Sequence, residues 1–150
     1  MELILWRHAD AEAGVDDLER KLTAKGRRQA ARVAEWLHEH LPARFGVYSS
    51  PAKRALQTAQ ALDAPVTTLE LLAPDASAAD ILKAVDWPNR TDEVVVVVGH
   101  QPTLGRVISR ILGREADLSV QKGALWWIEA RDKGGTQGAR VRAVIAPDLV

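Results

Sequence analysis

The chain alternates short apolar runs with longer amphipathic stretches. Residues 2–6 (ELILW) are a first apolar run whose length predicts a buried strand. Residues 9–21 (ADAEAGVDDLERK) are polar and acidic and read as a loop. Ala30, Val33, Ala34, Leu37 and Leu41 then recur at helical spacing, which predicts an amphipathic helix from a Thr23 cap to about His40. FGVYSS (45–50) predicts a second strand. Ser50 and Pro51 follow it as an expected N-cap and first helical residue. That helix reaches about Leu62, with Ala55, Leu56, Ala59 and Leu62 on its apolar side. VTTL (66–69) fits a short strand, and SAADILKAVD (77–86) a helix with a serine at its front.

EVVVVVG (93–99) is the strongest strand signal. Five consecutive valines suit a strand buried on both faces, as in a parallel sheet. Pro102 opens a helix with Leu104, Val107, Ile108, Ile111 and Leu112 on one face. ALWWIEA and ARVRAVIA flank a GGTQG turn and predict an antiparallel hairpin. In it Val141, Ala143 and Ile145 alternate with Arg140 and Arg142, so one face is wet, and Trp126 and Trp127 point to opposite faces. Strands alternating with helices predict a single α/β domain over residues 1–150. Its architecture is a three-layer α/β/α sandwich, with a mainly parallel sheet and an antiparallel hairpin at the C-terminal edge. Right-handed crossovers place the strand-to-helix loops on one edge of that sheet.

Composition narrows the function more than the fold. Twenty basic and twenty acidic residues balance, which gives no support for a nucleic-acid or membrane-surface binder. There is no cysteine, which excludes disulfides and thiolate metal sites. The N-terminus lacks a basic start followed by a long apolar region, and no apolar run approaches the about 20 residues needed to span a bilayer. A cytoplasmic, monomeric, soluble protein is the expectation.

Three strand ends carry unusual residues: Arg7-His8, Ser49-Ser50-Pro51 followed by Lys53 and Arg54, and Gly99-His100-Gln101-Pro102. Ligands of open α/β sheets bind at such ends. Arginine offers a planar fork of donors matched to phosphate oxygens, and helix N-termini favour anions. A phosphate dianion would offset the repulsion between Arg7 and His8. Neighbouring arginines also lower a histidine's pKa and leave an imidazole nitrogen unprotonated, hence nucleophilic. The chemistry this predicts is in-line attack on phosphorus by His8, with Arg7, Arg54 and His100 holding the equatorial oxygens. Inorganic phosphate or sulfate is expected to fit the pocket. Lys53 is left between a phosphate contact and a solvated lysine. Gln57 and Thr58 read as packing or surface residues, and His38, His40 and KGRRQAAR as surface. Asp10, Asp16, Asp17 and Glu19 read as an acidic loop able to shape access.

RHA after an apolar strand, LTAKGRRQA, SSPAKRALQTA and VVGHQPTLG, in this order, resemble the histidine phosphatase superfamily, of phosphoglycerate-mutase-like fold. The short form without a large cap is similar to bacterial phosphohistidine phosphatases of the SixA type. The likeness covers residues 2 to about 113. It implies His8 as the phosphorylated nucleophile, with Arg7, Arg54 and His100 completing the phosphate pocket; Gln101 would offer its backbone N–H. Ala9 stands where many relatives have glycine. Larger relatives carry a glutamate general acid, closely followed by glycine, after the third strand. Here that segment is LELLAPDASAAD, whose Glu70 and Asp75 are candidate proton donors outside that pattern. An imidazole leaving group can be protonated before departure and so manages with a weaker acid than an alkoxide. The implied activity is therefore metal-independent removal of phosphate from a histidine-phosphorylated protein, such as a phosphotransfer domain or phosphocarrier in a signalling relay, with no cofactor. The alternatives are a small-molecule phosphomonoesterase of the same fold, a metal-dependent hydrolase using His8, Asp10, Glu12 and His100, and a non-catalytic phosphate-binding module. Two arginines in the pocket would oppose the cation of the second.

Overall fold

The computed structural model describes residues 1–91 and 93–150, with Lys133 described by its backbone alone. Six strands form one sheet: β1 (Glu2–Arg7), β2 (Gly46–Ser49), β3 (Thr67–Thr68), β4 (Val94–Gly99), β5 (Leu125–Lys133) and β6 (Thr136–Ile145). Their order is β3-β2-β4-β1-β5-β6. β1, β2 and β3 join the β4-centred part in parallel, while β5 and β6 add antiparallel at the other edge. The valine run lies between β1 and β2, and Val95 to Val98 are buried. A strand paired on both edges and covered on both faces has no polar position to offer.

The two faces carry separate cores. Ile4, Trp6, Val47, Val96 and Val98 pack under α1 (Ala24–His40) and α2 (Lys53–Gln60). Leu3, Leu5, Val95 and Val97 pack under α3 (Ala78–Ala84) and α4 (Thr103–Ile111). The layers are those of the expected sandwich. No helix among the described residues is long and apolar enough to cross a membrane.

Local chemistry accounts for the helix starts. Thr23 caps α1 by accepting from the Gly26 N–H at 3.0 Å. Ser77 and Asp80 close a reciprocal capping box on α3. Gly26 allows the loop after β1 to dock on α1, since a Cβ there would lie 2.0 Å from the Asp10 carbonyl oxygen.

Several boundaries differ from the sequence reading. α2 begins at Lys53, with Ala52 at its N-cap, because the Ser50 hydroxyl instead takes the Ala52 N–H in a local turn at 3.1 Å. The third strand shrinks to Thr67–Thr68. The hairpin turn is only Gly134-Gly135, both at positive φ (62° and 86°), as two-residue hairpins demand. Simple alternation along β6 fails as well. Trp127 pairs with Ala143 but Ile128 with Val141, so Arg142 is an extra residue, a β-bulge. The bulge leaves Ala143 and Ile145 on the α1 side and turns Ala139 to the α4 side. Val141 is exposed.

Candidate active site

β1 ends between two neighbours that hold it. The Arg7 N–H donates to the Ala124 carbonyl at 3.0 Å, and the His8 N–H to the Gly99 carbonyl at 3.0 Å. Gly123 then donates to the His8 carbonyl at 3.1 Å. Regular alternation sends Arg7 and His8 to opposite faces, as it does Leu5 and Trp6. They meet because the sheet stops there, so both side chains can turn past its carboxyl edge. Beyond it the chain is clamped: the Ala9 N–H donates to Thr58 Oγ1 at 3.0 Å, and the Asp10 N–H to Gln29 Oε1 at 2.9 Å.

Four side chains foreseen in the sequence converge at this edge. The rings of His8 and His100 lie 5.1 Å apart, centroid to centroid. Arg54 Nη2 is 3.4 Å from His100 Nδ1. Arg7 is close enough to Arg54 for their like charges to depress its pKa, after burial as the larger cause. His8, Arg54 and His100 are all nearly inaccessible. The Nε atoms of Arg7 and Arg54 are buried, with no acceptor among the described residues. Buried donors of this kind are costly unless an acceptor joins them, and a tetrahedral oxyanion supplies several.

The hydrogen bonds fix which nitrogen of His8 can react. Its Nδ1 lies 2.7 Å from the Ala9 carbonyl oxygen, which can only accept, so the ring proton is on Nδ1. Nε2 keeps its lone pair. Burial, reinforced by Arg54 and Arg7, holds this imidazole down to about 4 despite the Ala9 bond, which works the other way. Burial, then His8 and Arg54, hold His100 down to about 3. Both rings are therefore neutral at pH 7. Arg54 Nη2 can only donate, so His100 Nδ1 accepts from it and the ring proton sits on Nε2, which donates to Ser50 Oγ at 2.8 Å and is the N–H this ring can offer an acceptor.

The structure brings in one carboxylate that sequence reasoning assigned only to the acidic loop. Arg54 Nη1 donates to the Asp17 carbonyl at 2.7 Å and Nη2 to its Oδ2 at 3.2 Å. Arg20 and Arg54 hold the Asp17 carboxyl below its usual range. Glu70 and Asp75 make no hydrogen bond or ion pair with Arg7, His8, Arg54 or His100 among the described residues. Lys53 pairs with Glu19 at 3.1 Å. The Gln101 side chain is also committed elsewhere, donating to the Leu118 carbonyl and accepting from the Gly105 N–H. What it has left for an anion is its backbone N–H. The Asp10 carboxylate accepts from Thr23 and Lys122, which takes it out of the ligand set of the metal-dependent alternative. Thr58, read as a packing or surface residue, is fully buried and joins the Ala9 N–H to the Arg54 carbonyl. A buried threonine one turn after Arg54 on α2 was the signal available for it.

Comparison with known proteins places this geometry. Residues 3–73 match the model of the histidine phosphatase superfamily (branch 1). An uncharacterised protein of Picosynechococcus sp. is 37% identical over 115 residues, covering 70% of this chain and 69% of that one. A structure from Nakamurella multipartitia, assigned as a SixA phosphohistidine phosphatase, superposes with a TM-score of 0.80 at 27% identity, covering 97% of this chain and 95% of that one. The protein histidine phosphatase SixA complexed with tungstate superposes with a TM-score of 0.85 at 22% identity, over 99% of each chain. The chain belongs to the histidine phosphatase superfamily, and its fold is that of the SixA structures.

Proposed function

We propose that the protein is a phosphohistidine phosphatase acting on a histidine-phosphorylated protein. The observation that carries this is the free Nε2 lone pair of His8, set beside two buried guanidinium Nε–H groups that lack acceptors. His8 Nε2 attacks phosphorus and the P–N bond to the substrate imidazole breaks; that ring, protonated beforehand on its other nitrogen, leaves as neutral imidazole with the bonding pair on the released nitrogen. Water then attacks the phosphohistidine of the enzyme, returning Nε2 and releasing inorganic phosphate. Arg7, Arg54 and His100 hold the equatorial oxygens, where charge gathers in the transition state. The tungstate held by a protein of the same fold is an oxyanion of the same shape.

The preference for a P–N bond follows from the carboxylates. Asp17, the one that reaches Arg54, is held ionised by two arginines and is a poor donor to an alkoxide. An imidazole leaving group makes a smaller demand. The test is incubation with a protein phosphorylated on histidine, an alkaline quench that preserves phosphohistidine, and mapping of the trapped phosphate. Label on His8, lost in His8→Ala, is the expected result. Faster turnover of a phosphomonoester than of the phosphohistidine protein would move the reading to a small-molecule phosphatase of the same fold.

A further inference from the structure

Away from the site, a row of arginines lines the outer side of α4. Arg106 and Arg110 stand about 6 Å apart along the helix axis, at four residues of 1.5 Å rise. Arg114 follows the helix end, after Gly113 at φ 68°. All three are exposed, and none has an ion-pair partner among the described residues. Arg106 and Arg110 form one wall of a cleft of about 640 Å³ whose other wall is the segment 113–117, including Arg114, Glu115 and Asp117.

The cleft is held by hydrogen bonds, and it runs toward the start of α4. Ser109 Oγ donates to the Ala116 carbonyl and Gln101 Nε2 to the Leu118 carbonyl, strapping the far wall to α4. Gly105 permits that contact, because a Cβ there would lie 1.9 Å from the Leu118 carbonyl oxygen. Arg106, Ala116 and Asp117 also line an adjoining cleft that reaches Gln101 and Pro102, the residues directly after His100. Lys25, Arg28 and Arg32 line another cleft, against α1, but it shares no lining residue with the two beside α4.

From this continuity we infer that the α4 cleft docks an acidic, extended segment of the phosphorylated protein partner, beside the phosphohistidine; the inference rests on the proposed activity. Alternate residues of an extended chain are about 6.6 Å apart, close to the axial separation of Arg106 and Arg110, so carboxylates at every second position can meet both. Glu115 and Asp117 can accept from backbone amides, which a peptide supplies and a phosphodiester backbone does not.

The test uses two synthetic phosphohistidine peptides, one with aspartates at alternate positions beside the phosphohistidine and one with serines there, plus inorganic phosphoramidate. In low salt, Arg106→Ala/Arg110→Ala should raise KM for the aspartate peptide about tenfold, as expected for two partly solvated charge contacts, with kcat unchanged. Turnover of the serine peptide and of phosphoramidate should not move. Arg28→Ala/Arg32→Ala, the same loss of charge elsewhere, should leave all three substrates alone. Equal effects of the two double variants, or no advantage of aspartate over serine in the parent protein, would overturn the inference. Binding of the unphosphorylated, fluorescein-labelled aspartate peptide, read by anisotropy, separates this from failure of the activity itself. If no phosphohistidine is hydrolysed but this binding is lost in Arg106→Ala/Arg110→Ala alone, the cleft stands and the activity falls. Tighter binding of a single-stranded oligonucleotide than of the aspartate peptide would also overturn it.

Discussion

Acidification tests the state of the two histidines directly. His8 and His100 are buried neutral, with pKa values held to about 4 and about 3, against 6.5 for a free imidazole. In the unfolded chain both bind protons as the pH falls through 6.5, while the folded protein resists until near 4. Folding therefore loses stability from pH 6.5 downward, with the full contribution present above 6.5. At pH 5 the unfolded chain gains about 2 kcal/mol from protonating each ring, so the pair lowers folding stability by about 4 kcal/mol relative to neutral pH. Urea unfolding at pH 7 and pH 5 measures this, with His8→Gln/His100→Gln as the reference in which that part of the pH dependence disappears. Proton NMR of the imidazole C–H signals gives the midpoints themselves. Titration of both rings near 6.5, or an equal loss of stability in parent and variant, would refute the claim that Nε2 of His8 is unprotonated because the site is buried and cationic.

Two further outcomes follow from individual contacts. Thr58→Val keeps the side chain's shape but strands the buried Ala9 N–H, at a cost of about 1–3 kcal/mol in the urea midpoint. As the His8 loop loses its tie to α2, kcat should fall more than KM rises, and Thr58→Ser should restore it. Asp17→Asn removes an exposed carboxylate that competes for Arg54, a contact worth about 0.5–1 kcal/mol, so tungstate should inhibit at roughly two- to fivefold lower concentration. Phosphohistidine turnover should survive that change, and its collapse would assign Asp17 the role of proton donor instead.

The sequence and the structure agree most closely where single residues announce themselves. His8, Arg54 and His100 stand at or just after strand ends, beside prolines and helix starts, and the valine run leaves β4 no place but the centre of the sheet. Asp17 was out of reach because its contact with Arg54 spans 37 positions and depends on how the acidic loop folds back. The ties from Thr58 to Ala9 and from Gln101 to Leu118 were out of reach for a related reason. The partners are backbone groups of other segments, and a backbone amide leaves no mark in a residue pattern. The bulge at Arg142 has the same character, since one extra residue in a strand does not disturb local alternation.

The straps that hold segment 114–120 beside α4 run through Ser109 and Gln101, and at its end the Val120 carbonyl accepts from Arg7 Nη1 at 2.9 Å. The reacting imidazole is anchored independently, by the ends of β1 and β4 and by α2. The Arg7–Val120 contact is thus where the cleft wall meets the phosphate pocket. A graft that recasts residues 114–117 while sparing Ser109, Gln101, Gly105 and the stretch that ends at Val120 would redirect the enzyme to a new recipient and leave its chemistry where it is.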